Sequence, residues 1–180
     1  MSDAIRRIAR AADFAARRHV EQRRKGARGE PYLNHLAEVA SLVADSGADE
    51  DIVAAAYLHD VVEDGHAHLQ EIVEAFGSHV AGLVEELTDD MTLAKDERRR
   101  RQVAHAPGLS PDAKRIKLAD KVSNLREMAE DPPGGWSVED RRSYAQWGRD
   151  VVDAGLRGVD ANLEAAFDLA YDAVLRGLKS

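Results

Sequence analysis

Residues 54–64 read AAAYLHDVVED. The apolar run that leads into them begins at Ile52 and is rich in alanine, which predicts a helix packed inside the protein. His59 and Asp60 interrupt this run. Because burying a carboxylate costs several kcal/mol unless a partner compensates its charge, Asp60 requires a cation close to it.

Two more acids follow in the same stretch. Glu63 and Asp64 come four residues after His59 and Asp60, so on a continuous helix all four side chains would point to one side. One imidazole and three carboxyl groups in a small volume repel one another near neutral pH unless a metal ion or protons relieve them. The alternative is an ordinary helix end with a hydrogen-bonded histidine and solvated acids, and this segment alone does not decide between the two.

The rest of the chain has the same helical character. No Val/Ile/Thr alternation runs for more than a few residues, so strands are not expected. Ser110 and Ser137 suit helix starts, and Gly47 and Gly77 suit helix stops. We predict helices at about residues 3–22, 35–45, 49–62, 69–76, 79–88, 95–105, 110–130, from 137 onward, and 160–178. The sequence therefore predicts an all-α fold, a bundle of about eight to ten helices in a single domain over residues 1–180.

Composition excludes several classes of protein. The 180 residues carry a formal net charge of −8 and contain no cysteine. Without cysteine there are no disulfides and no thiolate metal sites, so a bound metal must use His, Asp, Glu or backbone oxygen. The acidic balance counts against a general binder of DNA or RNA.

Targeting and membrane signals are weak. The longest purely apolar stretch, residues 52–58, is far shorter than the ~20 residues that span a bilayer. The N-terminal segment is Arg-rich and amphipathic like a transit peptide, but such peptides are poor in acids, and Asp3 and Asp13 count against one. We therefore expect a cytoplasmic protein that binds neither a membrane nor a nucleic acid polymer. Its oligomeric state is left open.

Two further residues extend the pattern around His59 and Asp60. His35 opens the second predicted helix, and Asp120 lies in the helical segment KLADKVSNL. Either residue alone would be interpreted as a surface or hydrogen-bonded side chain. A histidine, a His–Asp pair and a second aspartate on three different helices form a much more specific combination.

Four longer motifs occur in order along the chain. They are RRKGARGEPYLNH at 23–35, AAYLHDVVED at 55–64, FGSHVAGLVEELTDD at 76–90 and KLADKVSNLREM at 117–128. Through them the chain resembles the HD phosphohydrolases. Within that superfamily it is similar to the hydrolase domain of the RelA/SpoT family, and more closely to the stand-alone small alarmone hydrolases. The resemblance extends from residue 11 to the final helix.

The resemblance implies a metal centre with a catalytic pair beside it. The residues that it assigns to one Mn²⁺ per chain are His35, His59, Asp60 and Asp120. It assigns the catalytic roles to Glu63 and Asp64. Two imidazoles and two carboxylates suit a hard or borderline divalent ion, so Co²⁺ or Zn²⁺ would also be accepted. Four protein ligands leave a six-coordinate ion open to water and to a substrate oxygen, which suits phosphate ester hydrolysis.

The resemblance also implies a nucleotide site. Its residues would be Arg24, Lys25, Tyr32 and Asn124. The guanidinium of Arg24 would stack on the base and Lys25 would neutralise phosphate. A divalent ion with two aspartates is roughly neutral and the catalytic acids make the pocket negative, so a polyphosphate needs such cations. The alternatives are a solvated basic loop and, for Tyr32, a packing residue that anchors this loop.

Two positions depart from the pattern of the resembling family. Met91 stands where many relatives have lysine, so a phosphate contact is missing or is supplied by Lys95 or Arg98. Glu127 stands where relatives often have Thr or Asp, and its longer side chain could crowd the nucleotide. Both positions bear on substrate preference, and neither changes the metal set.

The remaining polar and aromatic features are interpreted as structural. The arginines at 98–101 indicate a solvated helix face. Trp136, Tyr144 and Trp147 are typical of core residues. Four histidines show no recognisable pattern: His66, His68, His79 and His105.

Three functions are compatible with these features. The favoured one is a metal-dependent hydrolase that removes pyrophosphate from the ribose 3′ position of (p)ppGpp and leaves GDP or GTP. The second is an HD phosphohydrolase for another ribose-phosphorylated nucleotide, such as NADPH, since fold analogy does not choose a substrate. The third is a nucleotide sensor without catalysis. The pair Glu63 and Asp64 argues against a sensor, because a pure binder gains nothing from two negative charges that face a polyphosphate.

Overall fold

A computed structural model describes residues 2–179, and this part of the chain is helical without a strand. Its helices are α1 Asp3–Arg18, α2 Tyr32–Asp45, α3 Glu50–Leu58, α4 Leu69–Phe76, α5 Ser78–Leu87, α6 Lys95–His105, α7 Pro111–Glu130, α8 Val138–Gly155 and α9 Ala161–Gly177, with a short 3-10 turn at Ala106–Gly108. The all-α prediction is confirmed. None of these helices has the length and apolar composition needed to cross a bilayer.

The helix starts follow from local chemistry that the sequence displays. The hydroxyl of Ser110 accepts a hydrogen bond from the backbone of Ala113 at the start of α7, where Pro111 occupies the first helical position. Ser137 and Asp140 form a reciprocal capping box at the start of α8. These interactions satisfy backbone groups that a helix end leaves unpaired, so the predicted and observed starts agree.

Two predicted helix ends are wrong. The helix predicted for residues 3–22 ends at Arg18, and the helix predicted for residues 49–62 ends at Leu58. In the second case the imidazole of His59 gives the reason. Its Nδ1 lies 2.8 Å from the carbonyl oxygen of Ala56, an acceptor that the N–H of residue 60 would use in a continuous helix.

Residues 59–65 form successive turns after α3. The segment closes with Gly65 at a φ of 74°, which a residue with a side chain adopts less readily. The continuous helix face predicted for Glu63 and Asp64 is therefore absent. The turns nevertheless bring both acids to the wall of the cavity that Asp60 lines.

Helix α7 is the centre of the bundle. It packs against α2, α3, α5, α8 and α9. Leu118 on α7 and Phe167 on α9 are fully buried, and burying a side chain of this kind contributes about 1.5–3 kcal/mol. The described residues share one hydrophobic core, which holds the three helix segments that carry the predicted metal ligands in place.

Candidate active site

The four predicted metal ligands converge inside the bundle. His35 comes from the first turn of α2, His59 and Asp60 follow α3, and Asp120 lies on α7. His59 Nε2 lies 3.1 Å from Asp60 Oδ2 and 3.8 Å from Asp120 Oδ1. His35 Nε2 lies 3.6 Å and 3.4 Å from the same two oxygens. Segments that are far apart in the sequence therefore meet at one point.

The far side of each imidazole is held by a hydrogen bond. His59 Nδ1 donates to the carbonyl oxygen of Ala56. His35 Nδ1 lies 2.9 Å from Ser123 Oγ, and that hydroxyl donates to Glu38 at 2.6 Å. Since the hydroxyl proton is directed to Glu38, its oxygen accepts from His35. Both rings therefore turn Nε2 toward the two aspartates, as metal-binding histidines require.

The cluster has the properties of a divalent metal site. The Nε2 atoms of His35 and His59 are buried without a hydrogen-bond partner among the described residues. Ligand atoms of these two histidines and of Asp120 lie within 4.8 Å of one another. A buried polar atom without a partner is costly, and a cation between nitrogen and carboxylate donors would remove that cost. The donor set therefore fits a bound divalent cation.

Protons are shared between the imidazoles and the carboxylates of the cluster. Burial acts to lower the pKa of His59, but the negative charges of Asp60 and Asp120 beside its Nε2 outweigh burial and raise the pKa well above its usual value. The pKa of His35 is raised in the same way. Burial acts to raise the pKa of Asp60, yet His59 and His35 hold it well below its ordinary value. The imidazoles and carboxylates of the cluster therefore favour opposite charges on one another.

Glu63 has a different environment from the four clustered residues. Burial and the negative charge of Asp60 raise the pKa of Glu63 to about 7, although the backbone N–H of Asp89 donates to its carboxylate at 2.9 Å. A carboxyl group with this pKa populates both protonation states at neutral pH, which is the requirement for general acid–base catalysis. The environment supports the catalytic role predicted for Glu63.

Metal binding is expected to release protons and to become tighter as the pH rises. The imidazoles of His35 and His59 must be neutral to bind a metal, and a nearby cation also favours ionised Glu63. Protons therefore compete with the metal, and its affinity falls as the pH decreases. Calorimetric titration of Mn²⁺ in two buffers of different ionisation enthalpy would measure the number of protons released.

The exposed His79 offers a control for this measurement. His79→Gln is expected to leave the proton count and its pH dependence unchanged. A proton count of zero at about pH 6.5 in the unmodified protein would contradict the predicted protonation of the cluster.

Cations from α6, from α7 and from the loop before α2 line the cavity next to the cluster. The cavity wall includes Lys25, Lys95, Arg98, Arg99, Lys117 and Lys121. The interpretation of residues 98–101 as a solvated face is therefore wrong for Arg98 and Arg99 and holds only for the other two. Arg100 and Arg101 are exposed and pair with Glu97. The rotation of α6 against the bundle decides which arginines face the cavity. A run of four adjacent arginines in the sequence does not indicate that rotation.

Aromatic side chains form another part of the cavity wall. Trp136, Tyr144 and Trp147 are half-buried and pack against the hydrophobic core, as predicted, but they also line the cavity. The assignment of these rings to the core alone is wrong. The ammonium of Lys121 lies 4.3 Å from the centroid of the Trp147 ring, and it also pairs with Asp120 at 3.1 Å. Cationic and aromatic surfaces thus border the same space.

Tyr32 and Asn124, both predicted to contact substrate, bond to the aspartates of the cluster. The Tyr32 hydroxyl donates to Asp60 Oδ2 at 2.5 Å, and Asn124 Nδ2 donates to Asp120 Oδ1 at 2.6 Å. Both side chains also line the cavity. They orient carboxylates in the structure and are close enough to the open space to reach a bound molecule.

Arg24 lines the cavity, and the edge of its guanidinium already has partners in the protein. Its side chain is 8% exposed, and Nε lies 2.8 Å from Glu127 while the terminal nitrogens donate to Ser123. The carboxylate of Glu127, which the sequence places where it could crowd a nucleotide, binds Arg24 instead. It also accepts a hydrogen bond from the backbone of Gly26.

The loop at residues 23–31 is tied through its backbone to the segment that follows α7. The N–H of Arg28 donates to Asp131 at 3.0 Å, and Gly26 forms an isolated β-bridge with Pro133. A Cβ atom at Gly26 would overlap with Asp131, so this approach requires glycine. The loop that carries Lys25 is therefore fixed to the helix that carries Asp120.

Sequence reasoning missed a polar group on the other side of Asp64. His19, Gln22 and His66 surround this carboxylate: Gln22 bonds to Asp64, and both imidazoles bond to Gln22. The signal was present in the spacing of His19 and Gln22 at the end of α1. Nothing in the sequence linked that spacing to His66, more than forty residues later.

Comparison with known proteins gives consistent matches over most of the chain. The HD domain family model matches residues 11–151. The mouse protein named guanosine-3′,5′-bis(diphosphate) 3′-pyrophosphohydrolase MESH1 is 45% identical over 180 residues, covering 99% of each chain. The human protein of the same name is 47% identical over 168 residues, covering 92% of this chain and 93% of its own. A solved structure described as "A metazoan ortholog of SpoT hydrolyzes ppGpp and plays a role in starvation responses" has a TM-score of 0.89 and 42% identity, covering 96% of each chain.

Proposed function

The chain belongs to the HD domain family, and we propose that it is a metal-dependent hydrolase that removes pyrophosphate from the ribose 3′ position of ppGpp and pppGpp. The products are GDP or GTP and pyrophosphate. The observation that carries this proposal is the buried cluster of two imidazoles and two carboxylates beside a cavity lined with cations. The names of the mouse and human relatives support the same substrate.

We propose Mn²⁺ as the bound ion, one per chain. His35, His59, Asp60 and Asp120 would hold it, and their mixed nitrogen and oxygen donors suit such an ion. When bound, the metal supplies Lewis acidity toward water and the phosphoryl oxygen. Elemental analysis of protein purified without added metal, followed by activity after reconstitution with Mn²⁺, Co²⁺, Zn²⁺ or Mg²⁺, tests this choice. The choice of Mn²⁺ would be contradicted if another of these ions gave full activity and Mn²⁺ did not.

Glu63 and Asp64 are proposed to handle the protons of hydrolysis. The carboxyl group of Glu63 lies beside Asp60, one of the proposed metal ligands, and it would take a proton from the attacking water or return one to the leaving group. Asp64 has one oxygen bound by Gln22, and its other oxygen has no hydrogen-bond partner among residues 2–179. Both acids line the same part of the cavity as Asp60.

The remaining walls fit the two ends of the substrate. A divalent ion and two aspartates are roughly neutral together, so a polyphosphate needs further positive charge. This charge would come from the cations of α6 and α7 that line the cavity, Lys95, Arg98, Arg99 and Lys117. They would also replace the phosphate contact of the lysine that many relatives have at position 91. Tyr144 and Trp136 line the cavity together with Arg24, and we propose that these flat groups contact the base.

A panel of nucleotides tests the function directly. The metal-reconstituted protein is incubated with ppGpp, pppGpp, NADPH, GTP and p-nitrophenyl phosphate, and pyrophosphate and orthophosphate are measured separately. The proposal expects pyrophosphate and GDP or GTP from the first two compounds. Orthophosphate from NADPH with ppGpp left intact would identify a phosphohydrolase of a different ribose-phosphorylated nucleotide. Tight binding of ppGpp without any product would identify a sensor.

Lys25→Ala is expected to weaken the binding of every phosphorylated nucleotide to a similar degree. Lys25 is exposed at the cavity wall, so its contact with phosphate is mainly Coulombic and is screened by solvent and salt. We expect KM for ppGpp to rise by up to about tenfold with kcat little changed. The dependence of KM on salt should also become shallower in the variant. Steady-state kinetics at low and high ionic strength would measure both effects.

Arg100→Ala is the matched control for Lys25→Ala. Arg100 is also an exposed cation, but it pairs with Glu97 and does not line the cavity. Its replacement should leave KM and the salt dependence unchanged. Equal effects of both substitutions would show that only the net charge of the protein matters, and the basic loop would then be a solvated surface.

The domain organisation and the cellular location of the protein are also proposals. We propose a single domain over residues 1–180, supported by the one core that the described residues share. We also propose a cytoplasmic location, supported by the absence of cysteine from the sequence. Immunofluorescence or fractionation of the tagged full chain tests the location.

A further inference from the structure

Gln22 lies at the centre of a polar group next to the proposed catalytic pair. It follows α1, and its side-chain oxygen Oε1 lies 2.6 Å from His19 Nδ1 and 2.8 Å from His66 Nε2. Its amide nitrogen donates to Asp64 Oδ2 at 2.8 Å. One amide therefore satisfies two imidazoles and one carboxylate at once.

The chemistry of the three neighbours fixes the orientation of this amide. A carboxylate only accepts hydrogen bonds, so the NH₂ group of Gln22 must face Asp64. The amide oxygen then faces both imidazoles and only accepts, so each of these nitrogens carries a proton. His19 is 2% exposed, and burial lowers its pKa, which keeps the ring neutral with its proton on Nδ1. A reversed amide would place its oxygen against the carboxylate and repel it.

The backbone of Gln22 connects the same residue to the metal cluster. The N–H of Tyr32 donates to the carbonyl oxygen of Gln22 at 3.0 Å, and the hydroxyl of Tyr32 donates to Asp60. The His19 ring contacts both the Tyr32 ring and the His66 ring, with centroids 5.3 Å and 4.7 Å apart. The segment after α1 is thus held against the cluster as well as against Asp64.

Asp64 needs such an anchor because its own segment restrains it little. It lies in the turns after α3, next to Gly65, and its side chain is exposed. An exposed carboxylate on a turn samples several rotamers unless a hydrogen bond selects one. The hydrogen bond from Gln22 is the one hydrogen bond that the structure gives to its side chain among residues 2–179.

We propose that Gln22 is a positioning residue for Asp64. Its amide, oriented by His19 and His66, occupies one carboxylate oxygen and presents the other to the cavity. The inference rests on the proposed hydrolase function, because it gives Asp64 a part in the reaction. A displacement of about 1 Å in a catalytic group can cost about 10²-fold in rate, so loss of Gln22 should act on turnover rather than on substrate affinity.

Two substitutions and a matched control test this role in the metal-loaded full chain. Gln22→Leu removes the amide at similar volume, and Gln22→Glu places a second carboxylate against Asp64. We expect kcat for ppGpp to fall by about ten- to a hundredfold in both, more in Gln22→Glu, while KM stays within about twofold and the metal content is unchanged. Gln146 donates to Asp150 at 2.8 Å away from the cavity, so Gln146→Leu should leave kcat unaltered.

A double-mutant cycle separates positioning from a general structural effect. If Gln22 acts through Asp64, the double variant Gln22→Leu/Asp64→Asn should be no slower than Asp64→Asn alone. Losses that multiply would overturn the role of Gln22. Because ligand atoms of His19, Asp64 and His66 lie within 4.8 Å of one another, metal content is also measured: a second equivalent that disappears in His66→Gln would make these residues ligands and overturn the role. An unmodified protein that leaves ppGpp intact would overturn the proposed function and this role together, whereas multiplying losses in an active enzyme overturn the role alone.

Discussion

Replacing His59 or Asp60 with alanine is expected to abolish both metal binding and hydrolysis. Each residue supplies one of four donors, and the chain has no cysteine and no other histidine within reach of the cluster in the described structure to take its place. A metal in a hydrolase supplies several kcal/mol of transition-state stabilisation, so turnover should fall by at least about 10³-fold. Elemental analysis of the purified variants, alongside ppGpp turnover, measures both losses.

The same variants need a control for folding. Removing one partner from a buried pair leaves the other partner unpaired, which is itself destabilising. Circular dichroism and thermal unfolding of metal-free His59→Ala and Asp60→Ala show whether the bundle survives, and His79→Ala serves as an exposed histidine control. A folded variant with full metal occupancy and normal turnover would refute the assignment of these ligands.

Glu63→Gln is expected to keep the metal and lose about 10²-fold in kcat. The amide oxygen can still accept the hydrogen bond from Asp89, so the side chain keeps its place while it loses the ability to carry a proton. We expect a bound cation to lower the pKa of Glu63 from its value of about 7. The limb of the kcat–pH profile that depends on Glu63 should therefore lie at or below pH 7. This limb should disappear in the variant.

Glu86→Gln is a closely matched control for Glu63→Gln. The carboxylate of Glu86 also accepts a backbone hydrogen bond, from Ser110 at 2.7 Å, but it does not line the cavity. Its replacement should leave kcat and the pH profile unaltered. Loss of the metal from Glu63→Gln would instead show that Glu63 is a ligand, and its role in proton transfer would be wrong.

The predicted metal set rests on short, distinctive sequences around each of its members. His59 and Asp60 stand out against an apolar run, and His35 and Asp120 are separate polar residues on predicted helices. The resemblance to the small alarmone hydrolases, confirmed by relatives that match nearly the whole chain, connects these four residues through sequence motifs alone. The convergence of these four residues in the bundle agrees with the predicted set. The substitutions described above test their roles as metal ligands.

The rest of the site depends on packing, which the sequence does not display. Arg98 and Arg99 face the cavity while Arg100 and Arg101 face solvent, and this choice follows from how α6 sits on its neighbours. The early end of α3 depends on a side chain that captures a backbone carbonyl, which a helical pattern cannot indicate. The contacts of Gln22 with Asp64 and His66 join residues that lie more than forty positions apart in the sequence. Long-range contacts therefore account for most of what the pattern missed.

The attachment of the basic loop to α7 has a consequence for the thermodynamics of substrate binding. A flexible lysine-bearing loop loses conformational entropy when a ligand orders it, and that loss reduces affinity. Here the backbone around Lys25 is held before any nucleotide arrives, by Gly26 packed against Asp131 and by Arg24 bonded to Glu127. Only the side chain of Lys25 remains to be immobilised. If Lys25 binds phosphate as proposed, the preorganised loop would let this single exposed ammonium contribute to recognition with little entropic penalty.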